Sequence, residues 1–144
     1  MPNVGIGHSN TDFKFKNLPK FVAQVYKKIK TDYPDVNFII EGWHVFPKDI
    51  AKHIDLQTCV SIGLGFPHQD SSKKLEEIRK FSYKNDYCQR MEDERIIRLI
   101  ENCKEQSLKI QQQCKELKIE FFDLSNNWNN VQEDARKFIK KDLS

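Results

Sequence analysis

The chain has 144 residues, which suits a single domain, spanning residues 1–144, with one sizeable core. Apolar residues make up 38% of the sequence and charged residues 31%, a composition typical of soluble globular proteins. The formal charge of +3, from 24 basic and 21 acidic residues, argues against a dedicated nucleic-acid binder. No stretch approaches the roughly 18 apolar residues of a membrane span, so we expect no membrane partner.

The spacing of apolar residues predicts strands that alternate with helices. Helices are predicted over residues 15–30, 47–54, about 93–118 and 126–143, with a further helix that carries Leu75, Ile78 and Phe81 on one face. Strands are predicted over residues 37–40, 57–64 and 119–122. Such an order predicts an α/β fold of three layers, α-β-α, with a mostly parallel sheet of about three main strands. Asp70, Ser71 or Ser72 is expected to cap the third helix.

Four cysteines indicate a reducing compartment. Cys59, Cys88, Cys103 and Cys114 form no C-x-x-C pair and no zinc pattern with histidine. Four free thiols fit this spacing better than two disulfides do. The first ten residues also lack the charged and apolar regions of a signal peptide. We therefore expect a cytoplasmic protein.

Polar residues follow the first predicted strand, in the position where parallel sheets bind ligands. Glu41 is a candidate carboxylate for holding magnesium or orienting a phosphoryl acceptor. Gly42 permits a sharp turn beside a ligand, and His44 could contact that ligand. Gly65 and Asp123 are expected at the ends of the other two strands. The alternative is that Glu41 merely caps a helix and that His44 is solvated or packed.

Basic and aromatic residues are interleaved between residues 79 and 95. Such a segment could close over phosphate groups as a lid, because guanidinium groups bind phosphate in a forked, charge-assisted way. Arg79, Lys84 and Arg90 are the candidate ligands in this lid. The alternative is an ordinary solvated helix surface whose charges are balanced by nearby acids.

The 144 residues contain neither G-x-x-x-x-G-K-[ST] nor G-x-G-x-x-G, the two glycine-rich motifs that hold phosphates. Even so, "GIGHSN", "YPDVNFIIEGWHVFPKDI", "VSIGLGFPH", "NDYCQRMEDERI" and "CKELKIEFFDLS" together resemble the back part of a P-loop kinase. The closer likeness is to small adenylate-kinase-like ATPases and kinases, and it covers the chain from Gly5 to the C-terminus.

This resemblance implies that the three predicted strands are the third, fourth and fifth strands of a P-loop NTPase sheet. It implies Mg and ATP as cofactors, Glu41 as the magnesium-linked or acceptor-orienting carboxylate, and Arg79, Lys84 and Arg90 as phosphate ligands. It also places His8, Ser9 and Asn10 near the acceptor.

The resemblance further implies a first strand and a phosphate-binding loop that these 144 residues do not contain. We therefore expect a shortened kinase-like protein with weak or absent ATP binding. The gap in its sheet could close directly, be filled by "NVGI" near the N-terminus, or be covered by a second chain.

Two functions from different classes follow. The first is a phosphotransferase that acts on a nucleotide, a nucleoside or another small hydroxyl compound. The alternative is a non-catalytic interaction or oligomerisation module that keeps the kinase scaffold and binds either a partner or a second copy, as in a homodimer. A third interpretation, binding of single-stranded nucleic acid through the lid, is opposed by the charge balance.

Overall fold

The computed structural model describes the backbone of residues 8–42, 44–84 and 86–143, and side chains between residues 16 and 141 of those ranges. The chain forms two compact units, one ending at Cys59 and the other beginning at Val60. The predicted single domain stays a prediction, and the "NVGI" segment lies outside the described residues. Within the described ranges, no helix has both the length and the hydropathy needed to cross a bilayer.

The first unit is helical. Helix α1 spans His8–Asp32, helix α2 spans Pro47–Ile50, and a 3-10 turn spans Leu56–Thr58. Pro47 opens α2, as predicted, because the first helical residue needs no backbone N–H donor. Among the side chains described, the core of this unit is formed by Ala23, Ile50 and Ile54, with Val22, Tyr26, Val45, Leu56 and Cys59 packed against them.

The prediction of a strand over residues 37–40 is wrong, because these residues form neither helix nor strand. The Phe38 ring packs against the Tyr26 ring, with their centroids 5.8 Å apart. Ile39 is 88% exposed and Ile40 is 38% exposed, so the segment is not buried. A strand requires a neighbour for its backbone hydrogen bonds, and the sheet of the described chain does not supply one here.

The second unit contains the sheet. Its elements in chain order are β1 (Ile62–Gly65), α3 (Ser71–Phe81), a 3-10 turn (Tyr87–Arg90), α4 (Asp93–Leu117), β2 (Glu120–Asp123) and α5 (Trp128–Leu143). The strands β1 and β2 are parallel neighbours, and Gly65 lies beside Asp123. The α/β class and the parallel pairing are confirmed, but the described residues form two strands and not three.

Glycines in β1 allow α4 to lie unusually close to the sheet. A Cβ atom added to Gly63 would lie 2.5 Å from Cys114 Sγ, and one added to Gly65 would lie 2.9 Å from Ser107 Cβ. The intervening residue, Leu64, points to the other face because side chains alternate along a strand. Leu64 is 50% exposed, so the prediction of a strand buried on both faces is wrong for this residue.

The other face of β2 contacts the last helix. Phe122 packs against Phe138 of α5, with ring centroids 5.9 Å apart. The helix α4 leads into β2 through Lys118, whose backbone is left-handed (φ 57°), and the Ile119 N–H donates to the Cys114 carbonyl at 2.8 Å. Asp70, one of the three predicted caps, is the N-cap of α3, and its carboxylate accepts from the Lys73 N–H at 2.8 Å.

Candidate functional site

The carboxyl ends of β1 and β2 meet at one edge of the sheet, because the strands are parallel. The segments that leave the strands are joined there by hydrogen bonds. The Leu124 N–H donates to the Gly65 carbonyl at 2.7 Å, and the His68 N–H donates to Ser125 Oγ at 2.8 Å. The helix α4 also contributes, since Ser107 Oγ accepts from the Phe66 N–H at 3.2 Å.

A carboxylate and an imidazole lie at this edge, where ligands of parallel sheets bind. Asp123 Oδ1 accepts from the Ser125 N–H at 2.9 Å, and Asp123 Oδ2 lies 3.9 Å from His68 Nε2. Ser125 Oγ bonds the His68 backbone and not its imidazole, so these side chains do not form a nucleophile–base relay. The edge therefore offers two polar groups for ligand contact, without an activated nucleophile.

The residues predicted around Glu41 belong to the first unit. Glu41 is exposed and His44 is half-buried, and the Gly42 carbonyl accepts from the Val45 N–H at 3.3 Å. The strand that was expected to place Glu41 beside the other strand ends is not formed. The roles of Glu41, Gly42 and His44 stay predictions. So do those of the three residues that form the start of α1: His8, Ser9 and Asn10.

Arg79 is bonded inside its own segment. Its Nη1 donates to the Cys88 carbonyl at 2.7 Å, and its Nη2 donates to the Met91 carbonyl at 2.6 Å. Its Nε donates to Asp93 Oδ1 at 2.9 Å. These bonds tie the end of α3 to the start of α4. We name residues 79–84 and 86–93 the Arg79 loop.

Gln89 also links the two ends of the Arg79 loop by hydrogen bonds. Gln89 Nε2 lies 2.5 Å from Ser82 Oγ, and it lies 3.3 Å from the carbonyls of Ser82 and Arg79. Asp86 Oδ1 accepts from the Cys88 N–H at 3.0 Å and so starts the 3-10 turn. The contacts tie this segment together internally, and its role as a lid over phosphate stays a prediction.

Large side chains of the Arg79 loop point into solvent. Phe81 is 69% exposed, Tyr83 is 86% exposed and Tyr87 is 68% exposed. The two other predicted phosphate ligands, Lys84 and Arg90, are also exposed. The loop thus exposes aromatic and basic side chains to solvent, while Arg79 bonds to the backbone of the same loop.

The cysteines of α4 are not placed for nucleophilic chemistry, which requires a thiolate. Burial raises the pKa of Cys114 to about 11 and also raises the pKa of Cys103. Cys103 and Cys88 line a cavity of about 150 Å³ between α3, α4 and the Arg79 loop. A hydrogen bond with Cys88 raises the pKa of the Tyr87 hydroxyl. The thiol of Cys103 and that of Cys114 are therefore protonated near neutral pH.

Mg and ATP, the cofactors that the kinase resemblance implies, stay a prediction. Among the side chains that the structure describes, all of them between residues 16 and 141, no three His, Cys, Asp or Glu side chains are grouped as metal ligands. Arg79 directs its N–H groups at protein oxygens. We therefore derive no catalytic step through this cofactor.

Sequence reasoning found Asp123 at the end of its strand but missed His68, Ser125 and Ser107. His68 lies three residues beyond the end of β1, so it is not among the polar residues that directly follow a predicted strand. No protein-family model, curated protein or solved structure matches this chain. A functional assignment therefore depends on the geometry of the chain itself.

Proposed function

We propose that this chain is a non-catalytic module that associates with a second copy of itself, on an α/β scaffold of the P-loop kinase type. The bonding of Arg79 supports this proposal above all. The side chain that the resemblance assigns to phosphate has three protein oxygens as partners. A guanidinium engaged in this way holds its loop in place and is not available to a nucleotide.

A fixed loop with exposed aromatic side chains suits an interface. Tyr, Phe and Arg are enriched where proteins associate, and few conformations are lost when the surface is already ordered. Phe81 and Tyr83 are the most exposed large side chains of the Arg79 loop. Lys80 Nζ lies 5.1 Å from the Phe81 ring centroid, so basic and aromatic groups form one surface.

Replacing both Phe81 and Tyr83 with serine should weaken self-association by about tenfold or more, the size expected when aromatic anchors are lost. Light scattering over a range of protein concentrations measures the weakening as a lower average mass of the variant at a given concentration. Trp128→Ser is the matched control, because Trp128 is 48% exposed but lies on α5. A mass of one chain for the wild type at every concentration would contradict the proposed function.

A phosphotransferase of the P-loop kinase type, with a three-layer sheet, is the second candidate. One observation favours it: the parallel pair carries Asp123 and His68 at its carboxyl ends. Its substrate would be a nucleotide, a nucleoside or another small hydroxyl compound, in the cytoplasm. We rank it second because Arg79, the phosphate ligand that the resemblance implies, is bonded to three protein oxygens.

A further inference from the structure

We propose that the cavity between α3, α4 and the Arg79 loop binds one uncharged aromatic ring, carried by a free small molecule. The inference goes beyond the proposed function and does not rest on it. Every residue that lines the cavity belongs to the second unit: Phe66, Lys74, Ile78, Tyr87, Cys88, Ile96, Leu99, Ile100 and Cys103. Phe81 and Tyr83, the residues of the proposed association surface, are not in this lining.

The size of the cavity suits a single ring. Its lining runs from the interior of α4, where Ile96 is 2% and Ile100 is 5% exposed, to Leu99, which is 39% exposed. A ring that enters therefore leaves water for a buried apolar surface. The volume is about 150 Å³, and an engineered cavity of that volume, lined by similar side chains, binds benzene. A nucleotide is too large for this space.

The polarity of the lining favours an uncharged ligand. Among the described residues, the lining contains one charged side chain, Lys74, whose Nζ donates to Glu77 Oε2 at 3.0 Å. The Tyr87 hydroxyl is hydrogen-bonded with Cys88, and burial keeps the Cys103 thiol protonated near neutral pH. A charged ligand would lose its hydration here and gain no unengaged charge of opposite sign.

The chemistry of the walls favours an aromatic ring over a saturated one. Cys88 and Cys103 bring two sulfur atoms to the same cavity, and polarizable sulfur makes favourable contacts with aromatic rings. Phe66 adds a ring of its own, and aromatic pairs gain energy beyond the area that they bury. We therefore expect a flat, electron-rich ring to bind better than a cyclohexane ring of the same size.

Fluorine NMR of fluorobenzene mixed with the whole chain tests the site. We expect a dissociation constant of about 1 mM or tighter, and weaker binding of fluorocyclohexane, which has the same number of heavy atoms. Leu99→Trp enlarges a side chain of the lining and should weaken fluorobenzene binding by about tenfold or more. Leu108→Trp is the matched control, because Leu108 also lies on α4 and is 46% exposed, but does not line the cavity.

Thiol labelling of the wild type locates the ring without any substitution. Methyl methanethiolsulfonate is added with and without fluorobenzene, and the labelled peptides are measured by mass spectrometry. Fluorobenzene should slow the labelling of Cys88 and Cys103, which line the cavity. Labelling of Cys59 should keep its rate, because Cys59 belongs to the first unit.

Three results would overturn the inference. The first is no binding of fluorobenzene near its solubility limit, or binding no tighter than that of fluorocyclohexane. The second is binding that leaves Cys88 and Cys103 unprotected and that a folded Leu99→Trp variant retains in full. The third is a lower average mass in light scattering when fluorobenzene is added, which would show that a side chain of a second copy fills the cavity. Self-association itself is tested by the mass without ligand, so either proposal can fail alone.

Discussion

Replacing Arg79 with alanine should lower the free energy of unfolding by about 2–3 kcal/mol, since hydrogen bonds to a charged group contribute about 1.5–3 kcal/mol and this side chain is partly exposed. The Cys88 and Met91 carbonyls would lose their donor, and Asp93 would lose its cation. The Arg79 loop should then open and be cut faster by protease. Chemical denaturation, followed by circular dichroism, measures the change.

Lys84→Ala is the control for this variant, because Lys84 lies in the same loop and is exposed. A surface change of that kind should alter the free energy of unfolding by less than about 0.5 kcal/mol. If Arg79→Ala were as stable as the wild type while losing affinity for inorganic phosphate, Arg79 would be the phosphate ligand that the kinase resemblance implies. That result would favour the phosphotransferase.

Replacing Gly63 with alanine should also destabilise the chain strongly. The new Cβ would lie 2.5 Å from Cys114 Sγ and 2.9 Å from Phe121 Cδ2, inside a helix–sheet contact that has no room for it. Overpacking of this kind costs about 1–3 kcal/mol. Thermal and chemical denaturation of the variant should both show the loss.

A double-mutant cycle identifies the contact responsible. Cys114→Ala removes the sulfur that lies closest to the added Cβ, so it should recover part of the stability of Gly63→Ala. Purely additive losses in the double variant would show that α4 does not approach β1 as closely as described.

Most of the helices and parts of two strands could be predicted from the sequence because their patterns are long or bounded by clear signals. The strand expected over residues 57–64 begins only at Ile62, because Leu56–Thr58 form a 3-10 turn. The long helix was expected over residues 93–118, and α4 spans Asp93–Leu117. Residues 37–40 have equally strong strand composition, but a strand also needs a neighbour, which composition does not reveal. Local propensity therefore failed where pairing decides the structure.

The candidate site could be predicted only in part, because the sequence shows which residues end a strand but not which atoms a side chain contacts. Asp123 is the last residue of β2, so the parallel-sheet rule found it. Arg79 was recognised as a functional cation, but its partners are carbonyls 9 and 12 residues further along the chain. Side-chain spacing contains no information about which backbone oxygens a folded loop will turn inward. The bonds of Arg79 therefore required the coordinates, and its role as a phosphate ligand stays a prediction.

Titration calorimetry with Mg and ATP tests most directly the claim that this chain is a non-catalytic module. We predict no heat of binding at nucleotide concentrations up to about 1 mM, which corresponds to an interaction weaker than about 4 kcal/mol. Binding in the micromolar range would contradict the proposed function, and its loss in Asp123→Asn would locate the nucleotide at the carboxyl ends of β1 and β2.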